Sequence, residues 1–537
     1  YEIGVRLVGS EMCIRDSPST IEVKDSKEAK NPAIMLFGNR FFSDQTVMEL
    51  LTELFLVCCS SKKIGENENE FGDYFPDLKT LRSWPEGATL QYARKIRLNL
   101  KLFAFLSSSR LETRHETHRQ HCQELWDRMK GKIATEDSAR KEEIILLLSN
   151  LFLGFWGTGS QRTWCSQSFL PFYEGVLGSE VVWKESKSKT VDSWETALNL
   201  FICSQHIILA RGGEILYLQL CNALSQNVAT IADFDKDLGL ELSPEEKDPV
   251  QLHKNLSEAL KSFFGRTPTI LSDLSEWINT GLEDNTENAL RNQRWTSCSW
   301  CPADSWREGY LFAVELCRLL NMNVDLMEMV ELLQIACAMQ VMRSLLAQSY
   351  RNGAAGQSDK HGFCYRMLFS APNEANRRLK SLSIDSCKYV GLGIWHALRT
   401  SEIYKQVPEK NYIDADRRYG NKLFVKIGKS IGLIVPRAGS GARFILTDKI
   451  LRFLLLTLVP GQRMSLDTFK NRVERHYGFV FDEERLKQSP DWQDKQERLS
   501  EHQPTPIYLE QMLDASGVLE NLSDSCSLIK NPFSKEA

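Results

Sequence analysis

The sequence lacks a hydrophobic run long enough to cross a membrane and lacks a strong net charge of either sign. Its longest apolar stretches, Ile144–Trp156 and Ile450–Val459, are shorter than the roughly 20 residues that a membrane-spanning helix needs. The 66 Lys and Arg residues nearly balance the 70 Asp and Glu residues, which leaves a net charge of −4. With 42% hydrophobic and 25% charged residues, the 537-residue chain is predicted to be a soluble, multidomain globular protein.

Motifs that carry common enzymatic chemistry are also lacking. The sequence contains no GxxxxGK[ST] motif, which argues against nucleotide hydrolysis by a P-loop. Its one CxxC motif, Cys298-Ser-Trp-Cys301, has no second Cys pair or His pair to complete a structural zinc site. Cys298 and Cys301 are the candidates for a metal or redox site, and the alternative is a loop in which both thiols pack beside tryptophans. The sequence thus favours a non-enzymatic protein without a cofactor or a bound metal.

Residues 1–17 have neither a helical nor a strand period. The stretch Leu7–Asp16 back-translates to a sequence that resembles a transposase-type sequencing adapter read in frame. The five charged residues of the segment leave no apolar region of the kind that a secretory signal contains. We therefore expect residues 1–17 to be an artefact and the chain to be a metagenomic, prokaryotic product.

The 13 cysteines beyond this segment are odd in number and irregularly spaced. Several, including Cys203, Cys221 and Cys337, fall within apolar helical patterns, where a free thiol behaves as a small buried hydrophobic group. An odd set of unpaired thiols is typical of a reducing compartment. We therefore predict a cytoplasmic location and no membrane partner.

Most of the chain has the spacing of amphipathic helices, with apolar residues at i, i+3 and i+4. Ser43 is predicted to cap a helix through Val47–Cys59. Further helices are predicted at about residues 90–106, 111–131, 139–153, 192–209, 213–227, 251–264, 268–279, 306–321, 325–348 and 384–398. The pattern predicts a mainly α, multidomain protein, with a helical domain at 18–235, a second at 236–410 and a basic C-terminal domain at 411–537.

The C-terminal domain has the pattern of an α+β winged-helix-like fold. Its predicted elements are a hairpin, two helices capped by Thr447 and Ser465, a short strand, a third helix and a closing hairpin, at about 433–446, 447–459, 465–477, 479–481, 507–516 and 518–530. The interval 482–506 departs from a standard winged helix, in which the second and third helices are adjacent.

Charge is unevenly distributed along the chain. Residues 417–481 contain 13 Lys and Arg residues against three acids, a net charge of +10, so the remainder carries −14. We predict phosphate contacts by six of these cations: Arg437, Arg443, Arg463, Lys470, Arg472 and Arg475. The alternative is that this basic face docks on the acidic remainder of the chain. Between Asp482 and Ser516 acids outnumber bases nine to four, which argues against DNA contact by the last helix.

Two short blocks of sequence resemble uncharacterised accessory proteins of bacterial anti-phage operons of the methylation-associated defence type. One is Thr163–Pro171, and the other comprises Gly432–Arg437, Gly441–Phe444 and Leu466–Gly478. The resemblance implies a cytoplasmic, non-enzymatic subunit that works with DNA-modifying and ATP-driven partners, and it transfers no functional residue.

The sequence therefore predicts an accessory subunit of a prokaryotic defence system. We expect it to bind duplex DNA or a DNA-bound complex through the basic C-terminal region and to contact other protein subunits of its operon. The alternative function is a protein–protein scaffold with no nucleic-acid contact.

Overall fold

The computed structural model describes residues 31–39, 41–65, 70–85, 88–95, 116–154, 174–179, 182–183, 201–202, 211–266, 269–281, 295–353, 360–400, 407–499, 508–523 and 526–534. The adapter-like residues 1–17, the tract Thr163–Pro171 and Cys203 lie outside these ranges.

The protein is 61% helical and 10% strand, which confirms the predicted mainly α class. Helices α1 to α18 span, in chain order, Pro32–Phe37, Val47–Cys59, Leu78–Arg82, Glu116–Lys132, Ser138–Gly154, Gly212–Leu224, Val228–Leu238, Pro249–Phe264, Thr269–Gly281, Trp306–Leu320, Leu326–Asn352, Arg377–Thr400, Glu409–Arg418, Asn421–Ser430, Asp448–Leu458, Leu466–Tyr477, Glu483–Leu486 and Tyr508–Ala515. Short 3-10 helices lie at Glu174–Val176, Ala303–Ser305 and Pro490–Arg498.

The strands are short and form four small sheets within the described ranges. Strands β1 to β12 span Lys62–Ile64, Leu90–Ala93, Val182–Trp183, Phe201–Ile202, Trp295–Ser297, Met367–Ser370, Ile434–Val435, Arg443–Ile445, Arg463–Ser465, Phe479–Val480, Leu519–Ser523 and Cys526–Lys530. The strand orders are β1-β2-β5, β3-β4, β10-β6-β8-β7 and β11-β12-β9. Strand β6 is parallel to β8 and β10, and the remaining pairs are antiparallel.

Local capping fixes the start of several helices. Thr46 and Glu49 form a capping box at α2, in which the Glu49 N–H donates to Thr46 Oγ1 at 3.3 Å and the Thr46 N–H donates to Glu49 Oε2 at 2.6 Å. The predicted cap, Ser43, is therefore wrong, because the helix begins at Val47 and Thr46 supplies the capping oxygen. The predicted caps Thr447 and Ser465 are confirmed at α15 and α16.

Two predicted helices are wrong where the structure describes them. Leu90–Ala93, in the predicted helix 90–106, is strand β2 and pairs with β1 on one edge and β5 on the other. Phe201–Ile202, in the predicted helix 192–209, is strand β4 and pairs with β3. Leu90 and Tyr92 are both buried in β2, so pairing on two edges and burial override the helical spacing.

Helices α2, α6, α10 and α11 pack on one another at the centre of the molecule. Helix α11 is long and apolar enough to cross a membrane by length and composition, but 89% of its most apolar 18-residue window is buried inside the protein. It has the character of a core helix of a soluble protein. One hydrophobic cluster extends from Ala33 to Ile529 and includes residues of all three predicted domains, whose boundaries stay predictions.

Residues 448–530, from α15 to β12, form what we call the C-terminal module. Strand β12 lies between β9 and β11, and Ile529 is opposite Met464 on one side and Leu519 on the other. Strand β10 of the module belongs to the four-stranded sheet, where it pairs in parallel with β6. The two predicted hairpins are confirmed as β7–β8 and β11–β12, whereas β9 was not predicted.

Candidate functional site

The six cations predicted to contact phosphates lie on two different sheets, on the loop before one of them and on the helix that follows the other. Arg443 lies in β8 of the four-stranded sheet, and Arg437 precedes it in the β7–β8 loop. Arg463 lies in β9 of the three-stranded sheet. The remaining three, Lys470, Arg472 and Arg475, lie on α16.

Arg443 is a structural residue of the four-stranded sheet. Its guanidinium donates from Nη1 to Ser370 Oγ at 2.6 Å and to the Ala371 carbonyl at 3.0 Å, and from Nη2 to the Pro372 carbonyl at 2.7 Å. The residue is only 7% exposed. Arg443 therefore holds the chain that leaves β6, and its donors face the protein's own backbone.

Glu241, in the loop after α7, holds two cations of α16. Arg472 Nε lies 3.6 Å from Glu241 Oε2, and Arg475 Nη1 lies 3.5 Å from Glu241 Oε1. Arg472 Nη1 also donates to the Leu458 carbonyl at 3.1 Å, and Arg475 donates to the Gly239 carbonyl. This loop therefore receives two of the predicted phosphate-binding residues as ion-pair and hydrogen-bond partners.

Three further cations of the C-terminal module form ion pairs with glutamates. The pairs are Lys470–Glu510 at 3.2 Å, Lys449–Glu331 at 2.8 Å and Arg452–Glu328 at 2.9 Å. Glu328 and Glu331 belong to α11, and Glu510 belongs to α18. These are the contacts expected if the basic segment docks on acidic residues of its own chain.

Arg437 and Arg463 differ from the other four. Both are exposed, and neither forms an ion pair in the part of the chain that the structure describes. Arg437 lies in a glycine-rich loop in which Gly439 and Gly441 have φ of +95° and +80°. Arg463 lies at the position opposite Lys530 of β12. Of the six predicted residues, these two are exposed. The hydrogen bond from Lys530 and the charge of Arg463 both help to lower the pKa of Glu520.

A buried ion-pair network joins α16 to the central helices. Arg343 of α11 forms a bidentate pair with Glu315 of α10, with both N–O distances 2.8 Å. His476 of α16 lies 2.7 Å from Glu315 through Nδ1. Burial raises the pKa of Glu315, but Arg343 and His476 outweigh it and hold the pKa at about 2. Glu315 is therefore ionised, and His476 Nδ1–H donates to it.

The same network shows which functional residues the sequence did not reveal. Burial lowers the pKa of His476 below its ordinary value, so the ring is neutral and serves as a hydrogen-bond donor. Glu315 and His476 are 161 positions apart, and no local spacing relates them. The sequence feature that could have indicated this network is Arg343, a cation inside an otherwise apolar helical pattern.

A second buried cluster surrounds the N-terminus of α6. The Gly213 N–H donates to Glu53 Oε2 at 2.7 Å, and Gln45 Nε2 donates to the same oxygen at 3.0 Å. Tyr92 Oη donates to Glu214 Oε1 at 2.8 Å. Burial and the nearby Glu214 charge raise the pKa of Glu53 to about 8, so this carboxyl is mainly protonated at neutral pH. The cluster caps a helix and is enclosed by protein.

Cys298 and Cys301 are buried thiols. Cys301 Sγ accepts a hydrogen bond from Asn222 Nδ2 at 3.3 Å, and burial raises the pKa of this thiol to about 12. Burial also raises the pKa of Cys298 well above its ordinary value. Among the described residues no group of three or more His, Cys, Asp or Glu side chains is arranged to hold a metal ion. Both thiols are therefore protonated at neutral pH.

Comparison with known proteins adds no relative. No protein-family model matches the chain, and neither the search of curated proteins nor the search of solved structures found a match.

Proposed function

We propose that this chain is a non-enzymatic scaffold, an accessory subunit of a prokaryotic anti-phage defence system that binds other subunits in the cytoplasm without needing DNA. The observation that carries the proposal is the use of Arg443, Lys470, Arg472 and Arg475 in contacts within the chain. Cations that are already held by the chain's own acids and carbonyl groups contribute little to a phosphate interface.

The C-terminal module is proposed to be winged-helix-like and to contact protein. Its order α15, β9, α16, β10, α18, β11, β12, with β12 central in the sheet, supports this interpretation, and the interval 482–506 separates the second helix and β10 from the third helix in sequence. The third helix, α18, exposes Gln511 and Asp514. An acidic helix at this position repels a phosphate backbone, which favours a protein partner.

The hairpin β11–β12, which is the wing of the proposed winged-helix-like module, provides the second part of the proposed protein contact. Leu522, near the end of β11, is 58% exposed. Strand β11 is the edge of its sheet, with β12 as its neighbour. An exposed apolar side chain on an edge strand, next to an exposed acidic helix, is suited to a protein surface with complementary charge.

Co-expression with the neighbouring genes tests this function. Tagged full-length chain is purified from cells with and without nuclease treatment, in the wild-type form and as the double variant Leu522→Asp with Asp514→Lys. We expect subunits to co-purify despite nuclease and to be lost from the double variant, whereas Lys254→Glu on α8 leaves them bound. Co-purification that disappears with nuclease would contradict the scaffold.

DNA binding by the C-terminal region is the second candidate, favoured by the exposed and unpaired Arg437 and Arg463. It predicts salt-dependent binding of the full chain to duplex DNA that weakens when both residues are changed to Glu. Unchanged duplex affinity in that double variant would remove this candidate.

A further inference from the structure

The outer side of α12 carries a row of exposed cations. Arg377, Lys380 and Lys388 are exposed and recur at spacings of three and eight residues, with Ile384 between the two lysines. The opposite side of the helix, with Leu382 among its members, is buried. Leu392 and Trp395, 48% and 40% exposed, continue the row toward the end of the helix.

Helix α14 and the β7–β8 loop lie beside this row. A Cβ atom placed on Gly391 of α12 would be 2.8 Å from Asn421 Oδ1, which puts the start of α14 against α12. A Cβ atom on Gly441 would be 3.8 Å from Ile384 Cδ1, which puts the loop against the middle of the row. Lys422 follows Asn421 at the start of α14, and Arg437 belongs to the same loop as Gly441, so both lie on elements that pack against α12.

The charge of this region is strongly unbalanced. The described residues between 377 and 442 contain twelve Lys and Arg residues against four acids, a surplus of eight: 377, 378, 380, 388, 399, 410, 417, 418, 422, 426, 429 and 437 against 385, 409, 414 and 416. Three of the acids already pair with cations of the same region, in Lys388–Asp385, Arg399–Asp416 and Arg418–Asp414.

Several cations of this region lack an ion pair within the described part of the chain. Arg377, Lys380, Lys422, Lys429 and Arg437 form no ion pair with any residue that the structure describes. This contrasts with α16, whose three predicted cations are held by glutamates. Uncompensated positive charge on a continuous surface attracts a polyanion and releases its counterions on binding.

Trp395 adds an aromatic surface at the end of the row. The Arg399 guanidinium carbon lies 4.0 Å from the centroid of the Trp395 ring. With 40% of the residue exposed, the indole is accessible next to the cations. The row extends over about 27 Å from Arg377 to Trp395 at 1.5 Å per residue. An exposed ring beside a basic track is suited to stacking on an unpaired base, which a duplex does not offer.

We propose that this α12 basic face, comprising Arg377, Lys380, Lys388, Lys422, Lys429 and Arg437 with Trp395, binds a single-stranded nucleic acid. The cations contact its phosphates, and Trp395 stacks on a base. The site goes beyond the scaffold function, and five of its six cations are outside the set predicted from the sequence.

Fluorescence anisotropy of labelled 15-nucleotide oligo(dT) and oligo(U), with full-length chain at about 50 mM salt, tests the site. The variants are Lys380→Glu with Lys388→Glu, and Trp395→Ala. The control is Lys254→Glu together with Lys261→Glu on α8, which makes the same charge change on another exposed helix. All are compared by circular dichroism and thermal melting to confirm folding.

We expect the α12 double variant to lose at least about tenfold in affinity and to show a shallower salt dependence than the control. We expect Trp395→Ala to lose about fivefold or more for the single strands and to leave binding to a duplex of equal length unchanged. Three outcomes overturn the proposal: no binding of single strands by the wild-type chain, equal losses in the α12 and α8 variants, or an unchanged affinity in Trp395→Ala.

Discussion

Glu315 is the single residue on which the docking of α16 depends most. It accepts hydrogen bonds from Arg343 and His476, and all three side chains are at most 2% exposed. Buried ion pairs of this kind contribute modestly as a whole, but removing one partner leaves an uncompensated charge.

Glu315→Ala is therefore expected to lower the free energy of unfolding by about 3–5 kcal/mol, because it leaves Arg343 buried without its counterion. The control is Glu331→Ala, whose partner Lys449 is 69% exposed, and we expect it to stay within about 1 kcal/mol of wild type. Urea unfolding followed by fluorescence measures both. Equal midpoints for the two variants would show that the Glu315 network does not anchor the module.

Glu53 is expected to make the free energy of unfolding depend on pH. Its pKa in the folded protein, about 8, lies above the ordinary value of 4.5, so the folded chain binds more protons between these limits than the unfolded chain. The stabilising contribution is present in full below about pH 4.5 and is lost as the pH rises through about 8.

Glu53→Gln keeps the side chain neutral at every pH and therefore removes the loss of stability that wild type shows as the pH rises. We expect the variant to gain about 1–3 kcal/mol relative to wild type between pH 6 and pH 9, measured by urea unfolding at both values. Glu143→Gln, an exposed change on α5, is the control and is expected to show no such gain. A pH-independent difference between Glu53→Gln and wild type would mean that Glu53 ionises normally.

At the scale of elements, helical periodicity predicted α6, α8, α10 and α11; α8 keeps one side in the core, whereas every residue of α6 and most residues of α10 and α11 are buried. The strands that the sequence predicted are the hairpins β7–β8 and β11–β12 and the short strand at 479–481, where β10 lies. Strand β2 depends on partners that are distant in sequence, and β9 is three residues long, so neither of these two has a sufficient local pattern.

Gly478 links the end of α16 to β10. It has φ of +71°, and its carbonyl accepts from the Met367 N–H of β6 at 2.7 Å. A Cβ atom there would be 2.7 Å from the Tyr365 carbonyl oxygen and from two atoms of the Tyr365 ring.

Gly478→Ala therefore combines backbone strain with a steric clash. The matched control is Gly517→Ala at the end of α18, where φ is +69° and no atom lies within 4 Å of the new Cβ. We expect the control to cost about 1 kcal/mol and Gly478→Ala at least about 1 kcal/mol more, measured by thermal unfolding. Equal losses of stability in the two variants would indicate that Tyr365 and β6 move away from the new Cβ atom without an energetic cost.

At the scale of the whole molecule, the small net charge is the sum of a basic segment, residues 417–481, and an acidic remainder. Composition along the chain located the basic segment, but it could not distinguish cations that face solvent from those that face the chain's own acids. That distinction depends on the position of Glu241 and of the acids on α11, which are far from α16 in sequence. The sequence therefore locates the basic segment, and the structure separates its paired cations from its exposed ones.

The most direct test of the central claim compares two charge-reversed chains in urea unfolding. One carries Arg472→Glu with Arg475→Glu, which places two acids beside Glu241, and the other carries Arg437→Glu with Arg463→Glu, at exposed positions. We expect the first to lose at least about 1 kcal/mol of stability and to recover part of it when Glu241→Arg is added, while the second keeps the wild-type midpoint. Equal midpoints in the two double variants, with no effect of Glu241→Arg, would contradict the claim that the C-terminal cations are held by the chain's own acids.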